Sequence, residues 1–271
     1  MPNTPKNVIR IIGEIASDGS YAFEEGLLLE DLIKPEDILT STYAPFAIIE
    51  RENKFGSKFL IKANLFNNDG PGTSLRPNDS VHVLSVTDID FLNSILVADA
   101  LGLLDANDEE LLSRYYFSSG TERYQCKSLQ LLAKQSSNSS INFVKSRYLP
   151  NPKVNPIDQL GFVKKCPELF EQKPYLIIFA LENSSVISGE VRRPGIYPSY
   201  KVADANDLFS YAGGRTEKSS GVVDIFTDEG QSIKFDTDFQ FQDSDISAGL
   251  AEDLYRIVPV SYTHLTLPPK A

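Results

Sequence analysis

A short pattern near the amino terminus recurs in the second half of the chain at one constant offset. Residues 12–21 have the sequence IGEIASDGSY, and residues 188–197 have the sequence SGEVRRPGIY. The matched positions are Gly13, Glu14, Gly19 and Tyr21 in the first copy and Gly189, Glu190, Gly195 and Tyr197 in the second. An internal repeat limits the possible folds more than a single motif does, because both copies have to form the same structural unit. The chain is therefore expected to contain two homologous units.

The repeat extends into later parts of each copy. Residues 75–83 and 250–258 are similar after a short shift that a loop would absorb. The further matched pairs are Asp31 with Asp207, Leu32 with Leu208, and Asp79 with Asp253. The first two pairs lie in segments that both have the apolar spacing of a helix, 27–33 and 203–212. Each unit is therefore expected to hold one helix, and in the second copy Gly213 and Gly214 are a good helix stop.

Strands are predicted on both sides of this helix. Apolar runs at 8–12 and 185–188 lead into turn signals, so each unit is expected to open with a hairpin. In the second copy Pro194 fixes φ at the turn and Gly195 is expected to supply a positive φ. Later strands are predicted at 46–50, 59–62, 80–84, 222–226, 232–235 and 255–258. A mixed sheet of about four or five strands across one helix is a β-grasp arrangement, of the α+β class.

A region of different character separates the two copies. Helices are predicted at 95–104, 109–117 and 126–134, with Asn107 or Asp108 as the cap of the second. The longest apolar run, 175–181, has the length of a strand and is far shorter than the roughly 20 residues of a membrane-spanning helix. The predicted domains are 7–88, the first β-grasp unit; 89–182, a partly helical connector; 183–260, the second β-grasp unit; and 261–271, a tail.

The two ends of the sequence are unusual. Residues 261–271, SYTHLTLPPKA, have no periodicity and resemble a translated adapter, so they are treated as an artefactual tail. The first residues lack the basic and apolar regions of a secretory signal, which indicates either a cytosolic protein or an internal fragment. Two cysteines, Cys126 and Cys166, exclude a disulfide framework but leave one bridge open.

Charge and residue types exclude several classes of function. A formal net charge of −11 argues against binding nucleic acid or an anionic lipid surface by electrostatics. Of the two histidines, His264 lies in the tail, and His82 is expected to project from a strand. The acidic cluster of Asp105, Asp108, Glu109 and Glu110 is interpreted as a solvated helix start. Because no nucleophile elbow, phosphate loop or paired Cys-x-x-Cys occurs, no catalytic residue, metal site or cofactor is predicted.

The second copy of the repeat carries a resemblance to a known family. Residues 186–198, VISGEVRRPGIYP, followed by a predicted helix and AGG at 212–214, resemble the SLBB (soluble-ligand-binding β-grasp) module of bacterial capsule and exopolysaccharide export proteins. The first copy is a looser match, since ASD at 16–18 replaces the RRP turn. The resemblance implies a periplasmic or outer-membrane-associated homo-oligomer that contacts polysaccharide and an inner-membrane polymerisation or export partner.

Arg192, Arg193 and Tyr197 are the candidate contact residues. A pair of arginines on a turn suits the carboxylates of an acidic polysaccharide or of a neighbouring subunit, although a solvated turn explains them as well. A tyrosine ring stacks on a sugar if it is exposed and packs in the core if it is not. Two other functions stay open: a soluble receptor for a small ligand, which needs a deep apolar pocket, and an accessory domain of a redox enzyme.

Overall fold

The computed structural model describes residues 7–65, 72–119, 124–136, 145, 166–200, 205–227, 232–236 and 255–261. These residues form both helices and strands, so the chain is an α+β protein, as expected. It divides into two compact units, one made of residues 1–184 with 198–200 and the other of 185–197 with 201–271. The predicted connector, 89–182, falls within the first unit.

A mixed sheet forms the centre of the first unit. Its strands are β1 (Val8–Gly13), β2 (Gly19–Ala22), β3 (Thr42–Glu52), β4 (Lys58–Ala63) and β5 (Ser80–Ser85). They lie in the order β2-β1-β5-β3-β4. The first and last strands in sequence, β1 and β5, are parallel neighbours, with Ile11 opposite Val81. The remaining pairs, β1–β2, β3–β5 and β3–β4, are antiparallel.

The second unit repeats this arrangement. Its strands are β6 (Ser184–Ile187), β7 (Gly195–Pro198), β8 (Ser219–Thr227), β9 (Ser232–Asp236) and β10 (Tyr255–Ser261). They lie in the order β7-β6-β10-β8-β9, which is the order of the first sheet. Again the first and last strands, β6 and β10, are parallel, whereas β10–β8 and β8–β9 are antiparallel. The two copies of the sequence repeat therefore form sheets of the same topology.

Residues that the repeat matches make the same contacts in both units. The Glu14 carboxylate accepts a hydrogen bond from Ser41 Oγ at 2.6 Å, and that of Glu190 accepts one from Thr216 Oγ1 at 2.7 Å. Each of these hydroxyls lies shortly before the third strand of its sheet. The remaining matched bonds join a tyrosine hydroxyl to the carbonyl four residues earlier, Tyr21 to Ser17 and Tyr197 to Arg193. The repeated Glu and Tyr thus fix the opening hairpin of each unit.

The described chain also contains helices. They are α1 (Leu29–Leu32), α2 (Val86–Leu92), α3 (Ile95–Leu101), α4 (Ala106–Ser119), α5 (Lys127–Gln135), α6 (Glu168–Gln172), α7 (Leu176–Glu182) and α8 (Ala205–Tyr211), with a 3₁₀ turn at Pro35–Asp37. Helix α2 was not predicted, although its start has a capping box in which Ser85 Oγ accepts from the Asp88 N–H at 3.0 Å. The Asp88 carboxylate accepts in return from the Ser85 N–H at 2.6 Å.

Three local predictions are wrong. The apolar run 175–181 forms most of helix α7 and not a strand, because a short apolar run has no periodicity that separates the two. Helix α4 is capped by Asp105, which accepts from the N–H groups of Asn107 and Asp108 at 2.8 and 2.9 Å, so neither of these two is the cap. Gly195 begins strand β7 and does not have a positive φ.

The first sheet is covered on both faces. On one face its strands pack against α1, with Ile11, Leu29 and Ile49 in a common apolar core. On the other face Phe46 of β3 contacts Phe179 of α7, with ring centroids 6.2 Å apart. Because both faces are covered, ten consecutive residues of β3 are buried, including the charged Glu50 and Arg51. The region 89–182 therefore supplies part of the core that surrounds this sheet.

A buried ion pair joins β3 to the residue that precedes β5. Arg51 of β3 donates to Asp79 from Nε at 2.9 Å and from a terminal nitrogen at 2.7 Å. The Asp79 carboxylate also accepts from the Arg76 N–H at 2.8 Å. This is the aspartate that the repeat matched to Asp253, which lies outside the described residues, as do His264 and residues 262–271 of the tail. Among the helices that the structure describes, none is long and apolar enough to cross a membrane.

Gly13 is predicted to be indispensable for the first sheet. Its φ is +123°, and a Cβ there would lie 2.0 Å from the carbonyl oxygen of Val83. We expect Gly13→Ala to lower the free energy of unfolding by at least about 3 kcal/mol, measured by urea denaturation, because both strain and a backbone clash result.

Gly26→Ala is the matched control. Gly26 also has a positive φ, +86°, but a Cβ there would meet nothing within 4 Å. Only the backbone strain remains, so a loss of about 1–2 kcal/mol is expected. Equal losses in the two variants would contradict the close approach of Gly13 to β5.

Candidate functional site

The predicted arginine pair lies on the turn between β6 and β7. Both side chains are exposed. The backbone of this turn is fixed by the segment that follows α8, since the Arg192 N–H donates to the Gly214 carbonyl at 3.1 Å and the Arg193 N–H donates to the Ala212 carbonyl at 2.9 Å. The Arg193 guanidinium donates to the Tyr211 carbonyl at 2.7 Å. The structure therefore holds Arg193 against the end of α8 and presents Arg192 beside it.

The glycine pair makes this approach possible. Gly213 and Gly214 follow the last residue of α8 with φ of +78° and +73°, the left-handed conformation that favours glycine after a helix. A Cβ on Gly213 would lie 3.2 Å from the Cβ of Arg192, closer than most such contacts. Gly189, on the other side of the turn, has a φ of +93°. These glycines fix the backbone on which the arginines are presented.

Two other predicted residues of this turn have structural positions. Tyr197 is only 4% exposed, and its hydroxyl donates to the Arg193 carbonyl at 2.6 Å. Its ring is therefore not available to stack on a ligand. Pro194 lies between the arginines and β7. Gly19, the first-unit counterpart of Gly195, begins β2.

The structure shows a second charged cluster that the sequence did not predict. Glu50 of β3 and His82 of β5 lie on the face of the first sheet that is opposite the α1 core. Antiparallel pairing brings them together, because His82 is opposite Ile48 and Glu50 is the next residue on the same face of β3. Both side chains are almost completely buried.

Three donors from different parts of the first unit converge on the Glu50 carboxylate. They are the ammonium groups of Lys58 and Lys173, the second at 3.0 Å, and the hydroxyl of Tyr175. Burial raises the pKa of Glu50, but the hydrogen bonds from Lys58, Tyr175 and Lys173 outweigh it and lower the pKa from 4.5 to about 2. The carboxylate is therefore ionised at neutral pH, and burial together with this carboxylate raises the pKa of Tyr175.

His82 is an uncharged residue at neutral pH. Burial lowers its pKa from 6.5 to about 4, against the opposing influence of Glu50. Its Nε2 is 3.5 Å from the Glu50 carboxylate, which is too far for a good hydrogen bond. Neither ring nitrogen has a hydrogen-bond partner within the described part of the chain. Protonating this ring therefore has to overcome the cost of a buried charge.

A shallow depression lies over the Glu50 cluster. Its volume is about 590 Å³, and it is open to solvent. The lining residues are Lys58, Leu60, Gln172, Lys173 and Tyr175. Three of them, Lys58, Lys173 and Tyr175, are the donors that Glu50 holds. A single buried carboxylate thus orders most of the polar surface of this depression.

The two cysteines are joined as a disulfide. Cys126 precedes α5 and Cys166 precedes α6, with their Cα atoms 5.3 Å apart. Glu171 lies close by and accepts from the Lys127 N–H at 3.0 Å. Among the described residues, the Sγ atoms of Cys126 and Cys166 and a carboxylate oxygen of Glu171 lie within 4.8 Å of one another. A metal would need both thiolates, which the disulfide does not supply.

No sequence motif identified the Glu50 cluster. Lys173 and Tyr175 are far from Glu50 in the chain, and only the packing of α7 against β3 brings them together. One available signal was the alternation of β3, in which Phe46, Ile48 and Glu50 share a face. A glutamate that continues an apolar face is expected to be buried and paired with cations.

We predict that His82 makes stability fall between pH 6.5 and 4. Its folded-state pKa of about 4 is below the unfolded value of 6.5, so the unfolded chain binds more protons in this window. The stabilisation is complete above pH 6.5 and is lost as the pH falls towards 4. The expected loss is about 3 kcal/mol, from about 1.4 kcal/mol for each pH unit, and urea denaturation at several pH values measures it.

His82→Leu is the test of this assignment. Leucine does not titrate, so the free energy of unfolding of the variant is expected to be flatter between pH 6.5 and 4. Glu50 acts in a lower window, since its pKa rises from about 2 to 4.5 on unfolding, and its contribution is lost below pH 4.5 in both proteins. An unchanged slope in the variant would assign the pH dependence to other groups.

The disulfide is predicted to stabilise the first unit. Cys126 and Cys166 are 40 residues apart, and a cross-link of this kind contributes about 2–4 kcal/mol by restricting the unfolded chain. Reduction is expected to lower the midpoint of urea unfolding, whereas a Cys126→Ser, Cys166→Ser double variant is expected to be insensitive to reductant. Detection of two reactive thiols in the unreduced, denatured protein would contradict the bridge.

The expected resemblance to SLBB modules rests on residues 186–198, on the helix that follows and on residues 212–214. Comparisons of the whole chain with protein-family models, with curated proteins and with solved structures found no match. The function proposed below is therefore supported by the residues and contacts of this chain alone.

Proposed function

We propose that the chain is a non-enzymatic component of a polysaccharide export assembly, in which two SLBB-type β-grasp units make ring contacts between copies or contacts with the glycan. The duplication carries this proposal. Two sheets have the same strand order, and the repeated Glu and Tyr residues make the same hydrogen bonds in both units. The repeated residues thus hold the backbone of the opening hairpin in each unit. This is expected for a module that binds partners through its surface.

The cysteines support an oxidising location. Disulfides persist in secreted and periplasmic proteins and are rare in the reducing cytosol. A bridge between Cys126 and Cys166 therefore favours a periplasmic or outer-membrane-associated protein. In the proposed assembly, the chain forms a homo-oligomer that passes polysaccharide and contacts an inner-membrane polymerisation or export partner.

The turn of the second unit is the proposed contact surface between copies. The chain has a formal net charge of −11, so two copies repel each other unless local charges are complementary. Arg192 and Arg193 are exposed cations on a turn whose backbone is fixed by Gly213 and Gly214. Guanidinium groups on a turn with a fixed backbone suit the carboxylates on an acidic face of a neighbouring copy.

We predict that the full chain self-associates and that Arg192→Gln weakens this association. Light scattering over a concentration series measures the mass. Loss of one exposed cation from an interface is expected to cost up to about 1 kcal/mol, which is about a fivefold increase in the dissociation constant. The difference between Arg192→Gln and the unaltered chain should shrink as salt is added, because salt screens exposed charges.

Lys218→Gln is the matched control, because it removes one exposed cation from the same unit outside the turn. Its dissociation constant is expected to stay near that of the unaltered chain. A strict monomer at every concentration would argue against the assembly and in favour of a soluble ligand receptor. Equal weakening by the two substitutions would show that the turn is not the contact surface.

A further inference from the structure

We propose that the depression over Glu50 is a subsite for a sugar residue that carries a carboxylate. This inference rests on the polysaccharide role proposed above and adds a position and a chemical class of glycan to it. The site lies in the first unit and uses none of the residues of the arginine turn. Its lining residues come from β4, from the end of α6 and from the segment that leads into α7.

The lining has the groups that a sugar residue needs. Tyr175 is 38% exposed, and part of its ring can meet the apolar C–H face of a pyranose beside the Lys173 ammonium, which lies 6.0 Å from the ring centre. Gln172 offers an amide, which both donates to and accepts from hydroxyl groups. The amide is oriented by a 2.6 Å hydrogen bond from Nε2 to Glu168. Leu60 adds an apolar contact to the same depression.

The charges favour an anionic sugar over a neutral one. Two ammonium groups, from Lys58 and Lys173, share the single carboxylate of Glu50. Because His82 beneath them is neutral, the four side chains of Glu50, His82, Lys58 and Lys173 carry one net positive charge near pH 7. Two further carboxylates lie close to the lining, Glu168 in contact with Gln172 and Glu52 opposite Lys58 in the strand pair, and both are exposed to solvent. A carboxylate on the ligand would complete the pairing of the second lysine.

The site is ordered before a ligand arrives. Lys173 and Tyr175 are held by the same buried carboxylate, so their positions cost little entropy on binding. The depression is open, which lets a polymer lie across it and leave sideways. These features suit a contact along a moving chain.

The full chain is titrated with trigalacturonate and, separately, with maltotriose, and isothermal titration calorimetry at low salt measures binding. We expect trigalacturonate to bind and maltotriose to bind at least tenfold more weakly. Lys173→Gln is expected to weaken trigalacturonate binding by about fivefold or more, as for loss of one ion pair. Tyr175→Leu should abolish measurable binding, whereas Tyr175→Phe, which keeps the ring, should retain most of it.

Lys54→Gln is the matched control for Lys173→Gln. Lys54 lies on the turn between β3 and β4, with its ammonium 5.6 Å from the centre of the Phe55 ring and outside the depression. Its removal should leave trigalacturonate binding unchanged. Circular dichroism confirms that each variant is folded at the titration temperature, so a loss of binding is not a loss of fold.

Several results would overturn the subsite. They are the absence of trigalacturonate binding to the unaltered chain, equal binding of the two sugars, or unchanged binding in both Lys173→Gln and Tyr175→Leu. The self-association measurement is independent of this titration. A chain that assembles without binding trigalacturonate refutes the subsite alone, and a monomer that binds it at Tyr175 refutes the ring while keeping the subsite.

Discussion

Parallel pairing between the first and last strands of each unit is the constraint on which the fold depends. In the first unit β1 cannot complete its hydrogen bonds until β5 has arrived, and β10 plays the same part for β6. The hairpin and helix between them are therefore secured by a non-local contact. Gly13 lies at this junction, where the carbonyl of Val83 leaves no room for a side chain. Gly13 thus marks where β1 closes on β5.

Closing the sheet leaves one face that needs a cover. In the first unit the region 89–182 supplies it, through the contact of Phe179 with Phe46. This cover buries Glu50, a residue that would otherwise lie on a solvated face. A buried carboxylate is tolerated only if it is paired, and Lys173 and Tyr175 come from the covering segment itself. The charged cluster is therefore a consequence of how the sheet is covered.

The repeat predicted the topology well, because matched glycines and apolar runs have the same local cause in both copies. Every predicted strand of the two units is present, and α8 ends where Gly213 and Gly214 indicated. The features that were not predicted from the sequence depend on packing between residues that are far apart in the chain. The run at 175–181 is helical because it lies on the sheet, and the partners of Glu50 are set by that same contact. The role of Tyr197 was not predictable from the sequence either, because it depends on whether the ring is buried or exposed.

The two units hold polar groups at their surfaces in different ways. In the second unit the backbone does it, since glycines with positive φ allow the turn that carries Arg192, and hydrogen bonds to Gly214 and Ala212 fix it. In the first unit a buried charge does it, since Glu50 orders Lys58, Lys173 and Tyr175 at the surface. Of the groups proposed to bind, Lys173 and Tyr175 are ordered by Glu50 beforehand, which lowers the entropy that binding would cost. Duplication of one fold thus gives two units that hold different polar groups at their surfaces.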